Sequence, residues 1–284
     1  MKIIITGLTG FVGTELKRYF SAKNYTVTGI GRGDYARGVQ HLAELISGYD
    51  VLINLAGAPI IKRWTQKYRQ ELWDSRVETT RLLQEALALC KAPPEVFISA
   101  SGVNVYTGRG RHTESGTLHG DDFLSSLCLA WEEQAMKAQS ISKTYIIRTG
   151  VVLGKNGGAL PQMALPFKLF VGGKIGNGQQ VLSWIHIADY MDALHKLMQD
   201  KPERRVFNFC SPFPVSNAEF SRQLARALKR PNLFTVPAFV LKLLYGEGAV
   251  VILEGQTVLP ANLEKEGFIF QYPQVKQALE NLLG

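Results

Sequence analysis

Three glycines, Gly7, Gly10 and Gly13, recur at every third position in "ITGLTGFVG" (5–13). They follow the apolar run Ile3, Ile4, Ile5 and lead into the amphipathic stretch "GTELKRYFSAK". Between a strand and a helix, this spacing has a known physical use. The first glycine makes the tight turn, the second lets backbone approach a pyrophosphate, and the third allows close helix–sheet packing. Unpaired amides at the helix start then face the anion, helped by the positive end of the helix dipole. A glycine-rich turn that holds no ligand is the alternative.

The second apolar run, "YTVTGIGRGD" (25–34), refines the expectation. An NAD-preferring site ends this strand in an acid that bonds the ribose 2′-hydroxyl. Here the tip carries Gly31 and Arg32, with Arg37 close behind. A guanidinium suits a 2′-phosphate through charge-assisted bonds, which favours NADP(H) over NAD(H). Asp34, two residues on, is also within reach of a ribose.

The elements that must position these residues alternate along the first half of the chain. Segments 2–6, 25–30, 50–56, 95–101 and 144–152 read as strands, and 12–22, 66–90 and 121–139 as helices by apolar spacing. Continuously apolar strands separated by helices predict a doubly wound α/β fold, a parallel sheet covered on both faces. After about residue 153 the glycine-rich stretches "GKNGGALPQM" and "VGGKIGNGQQ" read as loops around a short helical stretch, and 205–211 as a late strand. "SNAEFSRQLARALKR" opens with a capping-box pattern. We expect a Rossmann domain over 1–153 that also takes strand and helix segments from about 182–211. Residues 154–181 and 212–284 then form a smaller C-terminal lobe.

The 284 residues carry a net charge of +8, 46% hydrophobic and 20% charged residues, ordinary for a soluble globular protein. The basic residues are scattered, and the densest patch, "RGRH" (109–112), is short, so nucleic-acid binding is not expected. Three widely spaced cysteines without a CxxC pair argue for free thiols in a reducing compartment. Five histidines without HxxxH or HExxH spacing give no metal site. No uninterrupted apolar stretch reaches the roughly 18 residues of a membrane span, and the N-terminal run lacks a signal-peptide pattern, so the expected address is the cytoplasm. Nothing in the sequence fixes an oligomeric state.

"TGLTGFVG", "INLAGAP" and "FISASGVNVY" resemble the extended short-chain dehydrogenase/reductase superfamily, which includes sugar-nucleotide epimerases. "LWDSRVETTRLL", "DDFLSSLCLAWEEQA", "RTGVVLGKNGGALPQM", "GNGQQVLSWIHIADY" and "GFIFQYP" are similar to its atypical YfcH-like branch, the NAD-dependent epimerase-like family. The resemblance runs over nearly the whole chain. It implies that Gly7, Thr9, Gly10, Phe11, Val12 and Gly13 cradle the cofactor phosphates, and that Leu55, Ala56 and Gly57 line the adenosine side. It also implies that Ser101 bonds a substrate carbonyl or hydroxyl, the alternative being a strand-end serine bonded to its own backbone.

In the wider superfamily the general acid/base is a tyrosine, with a lysine four residues later on the helix after this strand. Here those positions fall on Cys128 and Glu132, in "CLAWE". Cys128 reads as a buried apolar residue. Glu132 is either a cleft base or ribose ligand, or a surface carboxylate. The one match to the missing spacing, Tyr272 and Lys276, lies far beyond that helix and is a coincidence of composition. Tyr106, placed at the mouth of the loop after strand 95–101, is the substitute acid. On the substrate side, Gln180, Trp184 and His186 fall in the family's most distinctive segment. Trp184 suits a flat or sugar-like ligand or the core, His186 a polar contact or a structural bond, and Arg148 an anionic substrate or a loop tie.

These residues lead to an NADP(H)-dependent oxidoreductase or epimerase acting on a small molecule, sugar- or nucleotide-like. The departures at Cys128 and Glu132 sustain a second reading, a non-catalytic NADP(H)-binding redox sensor or interaction protein.

Overall fold

The computed structural model describes residues 1–284. Six strands form the central sheet: β1 (Lys2–Thr6), β2 (Thr26–Ile30), β3 (Val51–Asn54), β4 (Val96–Gly102), β5 (Lys143–Thr149) and a late strand, β8 (Val206–Phe209). Every pairing is parallel, in the order β2-β1-β3-β4-β5-β8. The apolar runs are continuous because alternate side chains enter different cores. Ile3, Ile5, Ile53, Ile98, Ile147 and Phe207 meet helices α1 (Phe11–Ala22) and α4 (Ile187–Asp200) on one face. Ile4, Leu52, Phe97 and Ile146 meet Leu42, Leu83, Leu87 and Ala135 on the other. Leu83 and Leu87 come from α2 (Thr79–Leu89), and Ala135 from α3 (Phe123–Met136).

Because β1 lies between β2 and β3, successive connections leave it in opposite directions. A crevice opens at the carboxyl ends of those strands, where open α/β sheets take their ligands.

Two elements differ from the sequence-based expectation. The run 144–152 is two strands, since the chain leaves the sheet at Gly150, and β6 (Val151–Gly154) pairs with β7 (Trp184–His186) instead. A Cβ on Gly150 would stand 2.6 Å from the Ser183 carbonyl oxygen, so the crossing requires glycine. The helix expected over 66–90 is interrupted by a π-turn at Asp74–Glu78. The widened turn brings sequence neighbours Ser75 and Arg76 onto the backbone of one residue, Ala58. The Ala58 N–H donates to Ser75 Oγ (3.0 Å), and Arg76 Nη2 donates to the Ala58 carbonyl (2.9 Å).

A separate core gathers where Trp184, from the 182–211 stretch expected in the Rossmann domain, meets α5 (Asn217–Leu228) and α6 (Val275–Leu283), which were expected in the second lobe. Ser216 caps α5 by accepting from the Glu219 N–H (3.2 Å), at the position its capping pattern predicts.

Candidate active site

The three glycines of the β1–α1 turn are not equivalent. Gly7 has φ +71°, and a Cβ there would stand 2.7 Å from the Leu55 carbonyl oxygen, so the first glycine makes the turn against β3. A Cβ on Gly13 would stand 2.4 Å from the Gly7 carbonyl oxygen, which makes the third a packing glycine. Gly10 has ordinary backbone angles (φ −73°, ψ 170°), and its Cβ would meet only the Gly7 oxygen, at 3.3 Å. Its other side is open. Helix α1 carries no side-chain cap, and the amides of Phe11, Val12 and Gly13 have no protein acceptor. Three free N–H groups on a helix N-terminus, beside an open glycine, fit a phosphate. The Phe11 ring sits in a slot of three further glycines. A Cβ on Gly154, Gly157 or Gly158 would come within 2.9 Å of it.

At the tip of β2, Arg32 and Arg37 are exposed and make no ion pair. Asp34 folds back on its own turn, accepting from the Gly31 N–H (2.8 Å) and lying 3.2 Å from His41 Nε2. The Gly31 bond, then His41, holds its carboxyl below the usual range. Thus the acid near the tip closes its own turn, and the guanidinium groups face solvent.

The floor of the crevice is a polar cluster that the motif reading passed over. Thr6 Oγ donates to Asn54 Oδ1 (2.7 Å), and Asn54 Nδ2 donates to Thr80 Oγ (2.7 Å) and Ser99 Oγ (3.3 Å). Thr6 Oγ also accepts from the amides of Leu55 and Ala56, both at 3.1 Å. These bonds fix the strand ends that present Leu55, Ala56 and Gly57.

Ser101, Glu132, Arg148 and Tyr106 come together in one buried chain of hydrogen bonds. Ser101 Oγ donates to Glu132 Oε1 (2.6 Å). Arg148, on the neighbouring strand β5, grips the same carboxylate through Nε (2.9 Å) and Nη2 (2.7 Å). Its Nη1 donates to Tyr106 OH (2.8 Å), which donates to Asn208 Oδ1 (2.9 Å). Asn208 is anchored in turn by Glu114, through its N–H (2.9 Å). Burial alone would lower the Arg148 pKa, but the Glu132 bonds more than reverse this and keep the guanidinium charged.

This arrangement revises three expectations. Tyr106 is not at the mouth of a loop but 1% exposed, stacked on His112 at 5.0 Å, with its hydroxyl engaged on both sides. Burial pushes its phenol up, partly offset by Arg148. Arg148 is the partner of Glu132 rather than a free anion contact, and Glu132 is a buried, paired carboxylate. Cys128 is buried beside Gly102, and its thiol is pushed up to about 11 by desolvation and then by Glu132.

The distinctive 180–186 segment does not converge on this cluster. Trp184 is fully buried in the separate core, its Nε1 donating to the Phe213 carbonyl (3.2 Å), so it offers no ligand platform. His186 caps α4, accepting from the Ala188 N–H through Nδ1 (3.0 Å), and its ring lies 4.0 Å from that of Tyr272. Desolvation drops its pKa to about 4, so it is neutral at physiological pH. Tyr272 is thereby a stacking partner of His186. Gln180 lines a separate groove of about 640 Å³ with Lys242, Glu247 and Glu254.

A model of the NAD dependent epimerase/dehydratase family matches residues 3–210, and a domain of unknown function, DUF1731, matches 236–282. The chain is 35% identical to the epimerase family protein SDR39U1 homolog, chloroplastic, of Arabidopsis thaliana, over 100% of this chain and 87% of that protein. It is similar to the crystal structure of human epimerase family protein SDR39U1 with NADPH, with a TM-score of 0.91 and 32% identity, covering 100% of this chain and 99% of that one. The nucleoside-diphosphate sugar epimerase from Corynebacterium glutamicum gives a TM-score of 0.81 and 30% identity, over 100% of this chain and 58% of that one.

Proposed function

Because the chain belongs to the NAD-dependent epimerase/dehydratase family, we propose that it is an NADP(H)-binding oxidoreductase or epimerase-like enzyme acting on a small molecule. The observation that carries this reading is the α1 N-terminus, with its three acceptor-free amides beside the open face of Gly10. The human relative with NADPH supports the choice of dinucleotide. Phe11, Val12 and Gly13 hold the pyrophosphate, while Arg32 and Arg37 take the 2′-phosphate. Leu55, Ala56 and Gly57 line the adenosine side. The bound nicotinamide supplies hydride chemistry.

Arg32→Ala is expected to weaken NADPH binding by about 10- to 150-fold, the worth of one charge-assisted hydrogen bond at about 1.5–3 kcal/mol. NADH affinity should stay nearly constant. Calorimetry with both cofactors tests this, and equal wild-type affinities for the two would remove the assignment.

Ser101 is the group we assign to the substrate. Its proton is committed to Glu132, so its free lone pairs accept from a substrate hydroxyl. When that hydroxyl loses its proton, Ser101 takes it and passes its own to the Glu132 carboxylate. In the reverse direction the relay returns a proton to the substrate oxygen. Ser101→Ala should therefore cost about 10²-fold in turnover with NADPH affinity unchanged. The assay is NADPH oxidation against aldehydes, ketones, quinones and nucleotide sugars, with any active substrate repeated in the variant. Wild-type rates in the alanine variant would exclude the relay.

The closed network favours a second reading, a non-catalytic NADP(H) sensor or interaction protein. Glu132, Arg148 and Tyr106 are all bonded within the protein. Tight NADPH binding with no turnover across the panel would select it.

A further inference from the structure

Arg76 projects from the π-turn at Asp74–Glu78 toward the end of β3. Its guanidinium lies on the backbone of Gly57, where a Cβ would meet Cζ and Nη2 at 3.0 Å. On its other side it lies over the ring of Trp131, 5.5 Å from the centroid. Nη2 donates to the Ala58 carbonyl (2.9 Å), and Nη1 to the Leu72 carbonyl (3.3 Å), with Ser75 Oγ at 3.4 Å. Nε has no acceptor among the hydrogen bonds of this side chain, so part of its set of five donors is unused.

The charge is equally unanswered. Desolvation pulls the Arg76 pKa down, and the acidic groups whose charges act on it are the Cys128 thiol and the Tyr68 phenol. Burial pushes both of those up, so neither is ionised at neutral pH. Arg148, by contrast, has Glu132. Arg76 is half-buried, so its cation is partly desolvated, and without a counter-charge it is relieved when an anion arrives. Gly57 lies three residues beyond β3, and Cys128, whose charge would act on Arg76, abuts Gly102, next to Ser101. Arg76 thus stands beside the loop after β3, and Cys128 links its surroundings to the strand that carries Ser101.

We propose that Arg76 is the receptor for an oxyanion carried by the substrate, a carboxylate or phosphoryl group. This rests on the NADP(H)-enzyme reading above and narrows its substrate to an anionic small molecule. The anion sits across from Ser101, so the group undergoing chemistry and the group being recognised lie on the same small molecule. Gly57 is glycine because a side chain there would displace the guanidinium.

The test is calorimetric titration of the wild-type NADP⁺ complex with malonate and, separately, inorganic phosphate. We expect saturable binding of at least one, with the preferred anion identifying the substrate group. In Arg76→Met, that binding should weaken by about 10- to 150-fold, while NADP⁺ affinity stays within about twofold. Arg76→Lys, which keeps the charge, should recover much of the loss. No saturable anion binding, or equal binding by the methionine variant, overturns the proposal. A parallel loss of NADP⁺ affinity also overturns it, by making Arg76 part of the cofactor seat. Should the variants fail to fold, wild-type crystals with NADP⁺ soaked in malonate decide. Density on Arg76 supports the assignment, and its absence there refutes it. If the wild type binds neither NADP⁺ nor NADPH, it is the underlying reading that has failed.

Discussion

Gly10→Val is expected to lower NADPH affinity by about 10²- to 10⁴-fold in a protein that still folds. The backbone at Gly10 is in the ordinary extended region, and a Cβ there meets only the Gly7 oxygen, at 3.3 Å. Valine therefore needs only a shift of a few tenths of an ångström from the Gly7 carbonyl. Its branches, however, stand over the amides of Phe11, Val12 and Gly13, which a phosphate oxygen must approach to about 2.7–3.2 Å. Loss of two charge-assisted bonds at about 1.5–3 kcal/mol each accounts for the expected range. The neighbouring glycines make the control. Gly7→Val forces a branched residue into φ +71° and toward Leu55, and Gly13→Val drives a side chain into the loop backbone, so both should unfold the turn itself. Calorimetry paired with thermal melts separates the cases. A folded Gly10→Val protein that keeps wild-type affinity would show the loop to be a turn and no more.

Glu132→Ala should destabilise the protein by about 3–5 kcal/mol, because Arg148 is left buried without its carboxylate. The remaining partner of that guanidinium, Tyr106 OH, is neutral and already shared with Asn208. Glu132→Gln keeps shape and an acceptor oxygen, and should lose less. Exchanging both members for apolar residues of similar volume should restore much of the stability, as removing a whole buried pair costs less than orphaning one half. Urea unfolding of the three variants gives the comparison. An alanine variant as stable as wild type would mean that Arg148 finds water, and that the network is not the closed structure described above.

The sheet was legible because the inner strands β1 and β3 are apolar on both faces and buried almost throughout, whereas the edge strand β2 stood out only by its β-branched residues. The break at Gly150 was not, since "RTGVVL" stays β-like across it and the reason for glycine is a carbonyl of Ser183, far along the chain. The π-turn was hidden for a similar cause. Apolar spacing over 66–90 suits one long helix, and the widened turn answers to the Ala58 peptide, which periodicity does not encode. In the site, Ser101, Tyr106, Glu132 and Arg148 each stood out by type and position. Their bonding to one another did not, because it closes through contacts such as Tyr106 to Asn208, 102 residues apart. The cluster of Thr6, Asn54 and Ser99 did leave a trace: polar residues ending "IIIT" and "VLIN" and interrupting "FISAS", where an apolar run has no other reason to carry them.

The ring of Phe11 in its slot of Gly154, Gly157 and Gly158 makes neighbours, by shape alone, of the first turn of α1 and the hairpin in which β6 pairs antiparallel with Gly157–Gly158. A ligand bound at the Phe11 amide is therefore expected to slow hydrogen exchange in that hairpin, more than 140 residues later. By linkage the effect must run both ways: whatever loosens the hairpin weakens the grip on the dinucleotide by the same free energy.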